Sequence, residues 1–129
     1  MKNQLEFDAP DLAAAVEKLT PAELDQLPFG AAKLDAGGVI RVYNKAEAER
    51  SGRGAMPSIG LRYFIDVAPC MDNGYFKGRL EKARAAGALN ISFEFIGDFI
   101  DRNRELSVRA QSASDGGTWI FVRVPGGKS

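Results

Sequence analysis

The sequence contains one cysteine, Cys70, and its neighbours favour a fixed, turned backbone around the thiol. Pro69 restricts Ala68 to extended conformations, which fixes the approach of the chain to the cysteine. Asp72-Asn73-Gly74 favours a sharp turn directly afterwards. An isolated cysteine most often behaves as a small buried hydrophobic residue, and that interpretation stays open. A cysteine held between a proline and a tight turn is also suited to presenting its sulfur to a pocket.

A second group of polar residues occurs at helical spacing. Glu47 and Ser51 are four residues apart on a helix that Asn44 is able to cap, and Tyr43 lies at the N-terminal edge of that helix. This spacing fits a solvent-facing glutamate with a tyrosine in the core. It also fits an inward-facing cluster that holds one ligand oxygen, with Arg53 close enough in sequence to cover it.

The composition excludes several common kinds of chemistry. The 129 residues include no histidine, which excludes Ser-His-Asp and Cys-His catalysis and histidine-ligated haem or zinc. A single cysteine allows no disulfide within the chain and no cysteine cluster for a metal. Lysine plus arginine equals aspartate plus glutamate, with 17 of each, so the sequence predicts neither a nucleic-acid partner nor an anionic-membrane partner.

Two features of the sequence bear on the location of the protein. No purely apolar run in the sequence is long enough to span a bilayer. Residues 1–4 carry one lysine and lack the apolar core of a signal peptide. We therefore expect the protein in the cytoplasm.

The order of the predicted elements defines the fold class. Leu12, Val16 and Leu19 form one apolar helical stripe, and residues 20–23 have the pattern of a capping box with proline at the first helical position. A further helix is predicted from about Tyr75 to Ala86, with Gly87 as its C-terminal stop. The sequence therefore predicts an α+β fold in which a five-stranded antiparallel sheet carries helices on one side and has a short N-terminal helical cap. The strand candidates are 29–34, 39–43, 91–96, 106–110 and 118–124.

The chain length fits one domain, which the sequence divides into three segments. Residues 1–28 form the N-terminal cap and residues 29–124 form the core. Residues 125–129 have the composition of a linker, which is expected at a junction with a further domain.

Seven short motifs are spread over nearly the whole chain: Phe29-Gly30-Ala31, Leu34-Asp35, Tyr43-Asn44-Lys45-Ala46-Glu47, Ser51-Gly52-Arg53, Asp66-Val67-Ala68-Pro69-Cys70, Phe93-Glu94 and Trp119-Ile120-Phe121-Val122. In order and spacing, these motifs resemble the photoactive yellow protein family (xanthopsins) of the PAS superfamily. The most specific part of the resemblance is a cysteine in Val-Ala-Pro-Cys with Tyr-Asn-x-x-Glu upstream.

The resemblance implies a PAS fold that carries 4-hydroxycinnamic acid (p-coumaric acid) as a thioester on Cys70. Tyr43 and Glu47 are then expected to hydrogen-bond the phenolate oxygen of this chromophore. Ser51, where the family usually has threonine, is expected to support Tyr43, and Arg53 is expected to shield the pocket. The other residues expected to line the chromophore are Ala32, Phe64, Val67, Ala68, Pro69 and Phe99.

The same resemblance implies a blue-light photoreceptor. Trans–cis isomerisation of the chromophore would be followed by proton transfer from Glu47 and by partial unfolding, most readily of the N-terminal helices. Glu47 can give up a proton only when its carboxyl group is protonated, a state that burial favours. The charged loop of residues 97–105 lacks the methionine of better-known family members, so we expect a slow return to the dark state.

The expected partners are a downstream signalling protein or fused phytochrome-like and histidine-kinase domains. We expect no enzymatic activity in this chain and no nucleic-acid or membrane partner. The sequence leaves open whether the protein forms a weak homodimer and where its absorption maximum lies.

Two alternatives remain on the sequence evidence. The chain could be a PAS binding or dimerisation module that has lost its chromophore. It could also be a thiol-based redox sensor that uses Cys70, although a lysine such as Lys77 would have to act as the base because histidine is absent.

Overall fold

The computed structural model describes residues 6–50, 58–67, 77–85, 89–96 and 105–123. These residues form the α+β arrangement that the sequence predicts. The predicted helix limits at Tyr75 and Ala86 lie outside the described residues. The elements in chain order are α1 (Leu12–Val16), α2 (Pro21–Leu24), β1 (Gly30–Leu34), β2 (Ile40–Tyr43), α3 (Lys45–Arg50), a π-helical turn (Tyr63–Val67), α4 (Lys77–Ala85), β3 (Asn90–Ile96), β4 (Glu105–Ser112) and β5 (Thr118–Arg123).

The five strands form one antiparallel sheet in the order β2-β1-β5-β4-β3. The central strand, β5, is covered on both faces. Trp119 and Phe121 contact one apolar core, whereas Ile120 and Val122 contact another. A strand buried on both faces has a continuous apolar sequence instead of an alternating one, which accounts for this run. The sheet therefore separates two cores.

Helical elements cover the two faces of the sheet. On one face, the π-helical turn and α4 pack against the sheet through Tyr63, Phe64 and Leu80. On the opposite face, the N-terminal cap packs through Leu12 and Val16. The predicted helical cap is confirmed, and the structure adds that it lies on the side of the sheet away from α4.

The β1–β2 hairpin is fixed by the side chain of Asp35. Its Oδ1 accepts hydrogen bonds from the backbone nitrogens of Gly37 at 2.9 Å and Val39 at 3.0 Å. Gly38 has a φ of 87°, a conformation that favours glycine. The bond from Val39 is the main reason why the pKa of Asp35 lies below its ordinary value. The predicted hairpin is confirmed.

Gln111 of β4 attaches the N-terminal cap to the sheet. Its Oε1 accepts a hydrogen bond from the backbone nitrogen of Ala13 at 2.7 Å. Its Nε2 donates to the carbonyl oxygen of Pro10 at 3.0 Å and to Oδ1 of Asn90 at 3.1 Å. Because Gln111 is buried, loss of these bonds would leave polar groups of the cap unsatisfied.

Two arginines hold the first described residues of the cap. Nη1 of Arg109 donates to the carbonyl oxygens of Phe7 at 2.6 Å and Ala9 at 2.7 Å. The guanidinium carbon of Arg123 lies 4.5 Å from the centroid of the Phe7 ring, within the range of a cation–π contact. The start of the cap is therefore held by both polar and aromatic contacts.

Glu17 provides a further attachment at the end of α1. Its Oε2 accepts hydrogen bonds from Nε1 of Trp119 at 2.9 Å and from the backbone nitrogen of Ser114 at 3.1 Å. Burial on its own would raise the pKa of Glu17. The hydrogen bonds from Trp119 and Ser114 outweigh this effect, so that the pKa lies below its ordinary value of 4.5.

We expect the attachment of the cap to weaken in acid. Because the pKa of Glu17 is lowered by folding, its stabilising contribution is fully present above its ordinary value of 4.5 and is lost as the pH falls through the lower folded-state pKa. Hydrogen-exchange protection factors of α1 should therefore fall more steeply with acid in the wild type than in Glu17→Gln. Glu49→Gln, which changes an exposed glutamate of α3, serves as the control and should behave like the wild type. Identical acid profiles for the wild type and Glu17→Gln would contradict this prediction.

Candidate functional site

Four of the residues predicted to surround the ligand belong to one apolar cluster. Ala32 of β1 lies directly opposite Tyr43 of β2 in the sheet. Ala32, Phe64 and Val67 are buried in the core that also contains Leu80 of α4, and Tyr43 packs against this core with its side chain partly buried. The structure thus brings these predicted residues together on one face of the sheet.

Glu47 is buried beside this cluster, with 1% of its surface exposed. It lies in α3, which contacts β1. A Cβ atom on Gly30 would overlap Oε1 of Glu47, so the carboxyl group lies directly against the strand. Alternate residues of a strand share a face, and Gly30 therefore shares the face of Ala32. The burial of Glu47 excludes the solvent-facing alternative, and the expected role of Glu47 in holding a ligand oxygen stays a prediction.

The side chain of Asn44 joins α2, β1 and α3. Its Oδ1 accepts hydrogen bonds from the backbone nitrogens of Glu47 at 3.0 Å and Ala31 at 2.9 Å. Its Nδ2 donates to the carbonyl oxygens of Leu24 at 2.8 Å and Phe29 at 3.2 Å. The bond from Glu47 is the predicted N-terminal cap of α3. The other three bonds connect the helix that carries Glu47 to the strand and to the N-terminal cap.

Aromatic contacts hold Phe64 in the apolar cluster. The rings of Tyr63 and Phe64 meet edge to face, with their centroids 4.8 Å apart and an interplanar angle of 89°. Nζ of Lys77 lies 5.6 Å from the centroid of the Phe64 ring and 3.9 Å from Oε2 of Glu81. Lys77, the candidate base for a reactive Cys70, is thus engaged with Phe64 and Glu81.

Sequence reasoning and structure differ in what they contribute to the site. The sequence indicated that Asn44 caps α3, but its bonds to Leu24 and Phe29 join segments that no local pattern connects. The sequence motifs gave no role to Gly30, although a glycine inside a strand often marks the close approach of another group. The other predicted site residues lie outside the described part of the chain, and their roles stay predictions: Ser51, Arg53, Ala68, Pro69, Cys70 and Phe99.

A cleft of about 550 Å³ opens on the other face of the sheet, beside the N-terminal cap. It contains none of the predicted site residues, so its position disagrees with the site that the sequence indicates. We take the apolar cluster with its buried carboxyl group as the candidate functional site, because a buried acid is uncommon and costly, whereas an open surface cleft is neither. The cleft is lined by Phe7, Asp8, Ser92, Phe93, Glu94, Ser107, Val108, Arg109 and Arg123.

Known proteins similar to this chain cover almost its full length. Photoactive yellow protein of Rhodothalassium salexigens is 38% identical over 120 residues, which are 92% of this chain and 96% of the relative. The crystal structure of the photoactive yellow protein domain from the sensor histidine kinase Ppr of Rhodospirillum centenum superposes with a TM-score of 0.77 at 37% identity, covering 86% of this chain and 98% of that domain.

A more distant structure supports the fold alone. The PAS domain of an HTR-like protein from Haloarcula marismortui superposes with a TM-score of 0.54 at 14% identity, covering 80% of this chain and 91% of that one. No protein-family model matches the chain. Within the described parts of the chain, no helix has both the length and the apolar character needed to cross a lipid bilayer.

The antiparallel sheet, the helical elements packed on its two faces and these structural neighbours define a domain with the PAS fold. The chain belongs to the photoactive yellow protein family. Its function class is therefore that of a blue-light photoreceptor domain in sensory transduction, and the resemblance seen in the sequence is confirmed.

Replacing Asn44 with alanine should destabilise the protein by about 2–4 kcal/mol, because it removes a helix cap and leaves buried backbone groups unsatisfied. Urea unfolding measures this loss. Thr20→Ala is the matched control: Thr20 also accepts a capping bond, from the backbone nitrogen of Glu23, but this bond is exposed. It should cost only about 1 kcal/mol. Equal losses in the two variants would show that the wider contacts of Asn44 contribute nothing.

Proposed function

We propose that this photoreceptor domain carries 4-hydroxycinnamic acid as a thioester on Cys70. The observation that carries the proposal is the buried carboxyl group of Glu47, which lies against the strand position of Gly30 and next to the apolar cluster of Ala32. A flat aromatic ligand with one polar end fits such surroundings, since apolar side chains pack against its ring and a buried carboxyl group can hydrogen-bond its oxygen.

The described residues fit this ligand in polarity. Ala32 presents only a methyl group on β1, and Phe64 and Val67 provide apolar contact. When bound, 4-hydroxycinnamic acid supplies a conjugated phenolate that absorbs blue light and isomerises about its double bond. The other residues proposed to line it are Ala68, Pro69 and Phe99.

Glu47 and Tyr43 are proposed to donate hydrogen bonds to the phenolate oxygen. A free phenol ionises near about pH 10, so a phenolate at neutral pH requires donors that favour its charged form. A protonated Glu47 and the hydroxyl of Tyr43 are such donors. Ser51 is proposed to support Tyr43, and Arg53 to shield the site from water.

Glu47 is proposed to pass its carboxyl proton to the phenolate oxygen of the ligand after isomerisation, and the charge left on Glu47 is proposed to produce the structural change, a partial unfolding of the N-terminal cap. A carboxylate with 1% exposure carries a desolvation cost of several kcal/mol. That cost is a large part of the roughly 5–15 kcal/mol by which a domain of this kind is stable. Asn44 binds both the backbone nitrogen of Glu47 and the carbonyl oxygen of Leu24, so a shift of α3 acts directly on the N-terminal cap.

We propose the division of the chain that follows from this mechanism. Residues 1–28 would be the part that loosens, residues 29–124 the photosensory core and residues 125–129 a linker. The change would be received in the cytoplasm by a downstream signalling protein or by fused phytochrome-like and histidine-kinase domains. The histidine-kinase origin of the similar domain from Rhodospirillum centenum supports a fused output. The chain itself would act as a sensor and not as an enzyme.

Reconstitution tests the attachment of the chromophore. The full chain is mixed with an activated ester of 4-hydroxycinnamic acid. The sulfur of Cys70 displaces the activating group, the thiol proton is lost, and no oxidant is needed. We expect a visible absorption band that bleaches under blue light and returns in the dark. Because the chain has one cysteine, Cys70→Ala is a complete control and should give no such band.

The other outcomes of this experiment have definite meanings. A band in Cys70→Ala equal to that of the wild type would contradict a thioester on Cys70. The absence of a band in the wild type would favour a PAS binding module without this chromophore. Rapid alkylation of Cys70 near neutral pH in a chain that does not take up the ester would favour the redox sensor.

Glu47→Gln tests the role of the buried charge. Glutamine preserves the size of the side chain but cannot lose a proton to leave a carboxylate. We expect the loaded variant still to bleach, while the light-induced loss of hydrogen-exchange protection in α1 and α2 becomes much smaller than in the wild type. Glu49→Gln should leave both responses unchanged. An undiminished loss of protection in Glu47→Gln would refute the proposed role of Glu47.

A further inference from the structure

We propose that Gly30 is a positioning residue for Glu47: the absence of a side chain on β1 creates the space that the Glu47 carboxyl group occupies. A Cβ atom at position 30 would overlap Oε1 of Glu47 and would lie 3.1 Å from both its Cα and its Cβ. The contact with the oxygen is the most severe of the three. A side chain at position 30 therefore fits only if the Glu47 carboxyl group leaves its place against the strand.

The backbone conformation at position 30 does not itself require a glycine. Among the described residues, the glycines with positive φ are Gly38, Gly60 and Gly116, and Gly30 is not one of them. Gly30 lies at the start of β1 and pairs with Val122 of β5 in regular antiparallel register. Any residue can adopt such a strand conformation, so the requirement is one of space.

The surrounding hydrogen bonds determine how a Cβ atom would be accommodated. The side chain of Asn44 binds the carbonyl oxygen of Phe29 and the backbone nitrogen of Ala31, which are the peptide groups on either side of Gly30. The backbone nitrogen of Asn44 also donates to the carbonyl oxygen of Ala31 at 3.0 Å. These bonds fix α3 against β1, so the helix and the strand cannot separate without breaking them. The carboxyl group of Glu47 must then move away from the strand.

This inference rests in part on the proposed function, because the position of the carboxyl group matters for sensing only if Glu47 contacts the chromophore. Displacement of the carboxyl group would lengthen or break its hydrogen bond to the phenolate. The absorption maximum of loaded Gly30→Ala should then shift from that of the wild type towards that of Glu47→Gln. The steric part of the inference concerns the chain alone and needs no chromophore.

A double-mutant cycle on the full chain without chromophore tests the steric part. Gly30→Ala should raise the unfolding equilibrium constant about tenfold to hundredfold, because it overpacks a buried site. In a Glu47→Ala background the same substitution should cost much less, since the clashing oxygen is gone and only the milder contacts with Cα and Cβ remain. In a Glu47→Gln background the cost should persist, because glutamine places an atom in the same position.

Gly117→Ala is the matched control. Gly117 directly precedes β5, and a Cβ atom there would overlap the carbonyl oxygen of Leu34 in β1. Like Gly30, Gly117 is not among the glycines with positive φ. This variant is therefore also overpacked, but its clash does not involve Glu47. It should destabilise the chain to the same degree in all three Glu47 backgrounds. In the loaded protein, it should leave the absorption maximum unchanged.

The outcomes distinguish the steric role of Gly30 from the proposed contact of Glu47 with the chromophore. An equal cost of Gly30→Ala with and without the Glu47 side chain overturns the positioning role. Should Gly30→Ala fail to fold, recovery of folding in Gly30→Ala/Glu47→Ala supports the role and continued failure overturns it. A further outcome is strong coupling between positions 30 and 47 in the unloaded chain while loaded Gly30→Ala shows no spectral shift. This result would support the steric role of Gly30 and would refute the proposed contact of Glu47 with the chromophore.

Discussion

The buried amide of Asn44 determines how the rest of the site is arranged. A side-chain amide offers two donors and an acceptor oxygen, and here it receives bonds from β1 and α3 and donates to α2 and the residue before β1. Apolar burial is the larger driving force for folding, but it has no direction. The hydrogen bonds of Asn44 supply the direction, and the placement of Glu47 against Gly30 depends on them.

The sequence predicted those elements that a few neighbouring residues determine. The capping box of Thr20 and Glu23 is present in the structure, as are the hairpin turn at Asp35 and all five strands. The position of the cap on the sheet was not predictable in this way. It depends on contacts such as that between Gln111 and Ala13, which are 98 residues apart, and a local pattern carries no information about such partners.

The site was predictable to a similar extent. Spacing placed Tyr43 and Glu47 near one another, but a polar pair on a helix has the same spacing whether it faces water or the core. The family resemblance favoured the core, and the burial of Glu47 agrees with it. The space for its carboxyl group comes from a residue 17 positions earlier, Gly30, whose importance becomes clear only when strand and helix are seen in contact.

The way in which the sheet holds the N-terminal cap has a consequence for evolution. Arg109 and Gln111 bind carbonyl and amide groups of the cap's backbone, which every amino acid sequence possesses. The polar part of this attachment is therefore indifferent to the identity of the side chains at positions such as Ala9 and Ala13. Exposed positions of the cap can therefore change while the two residues of β4 continue to bind its backbone, whereas the buried Leu12 and Val16 and the Glu17 carboxylate remain tied to the sheet. The exposed surface of the segment proposed to signal is thus free to diverge and to bind different signalling partners.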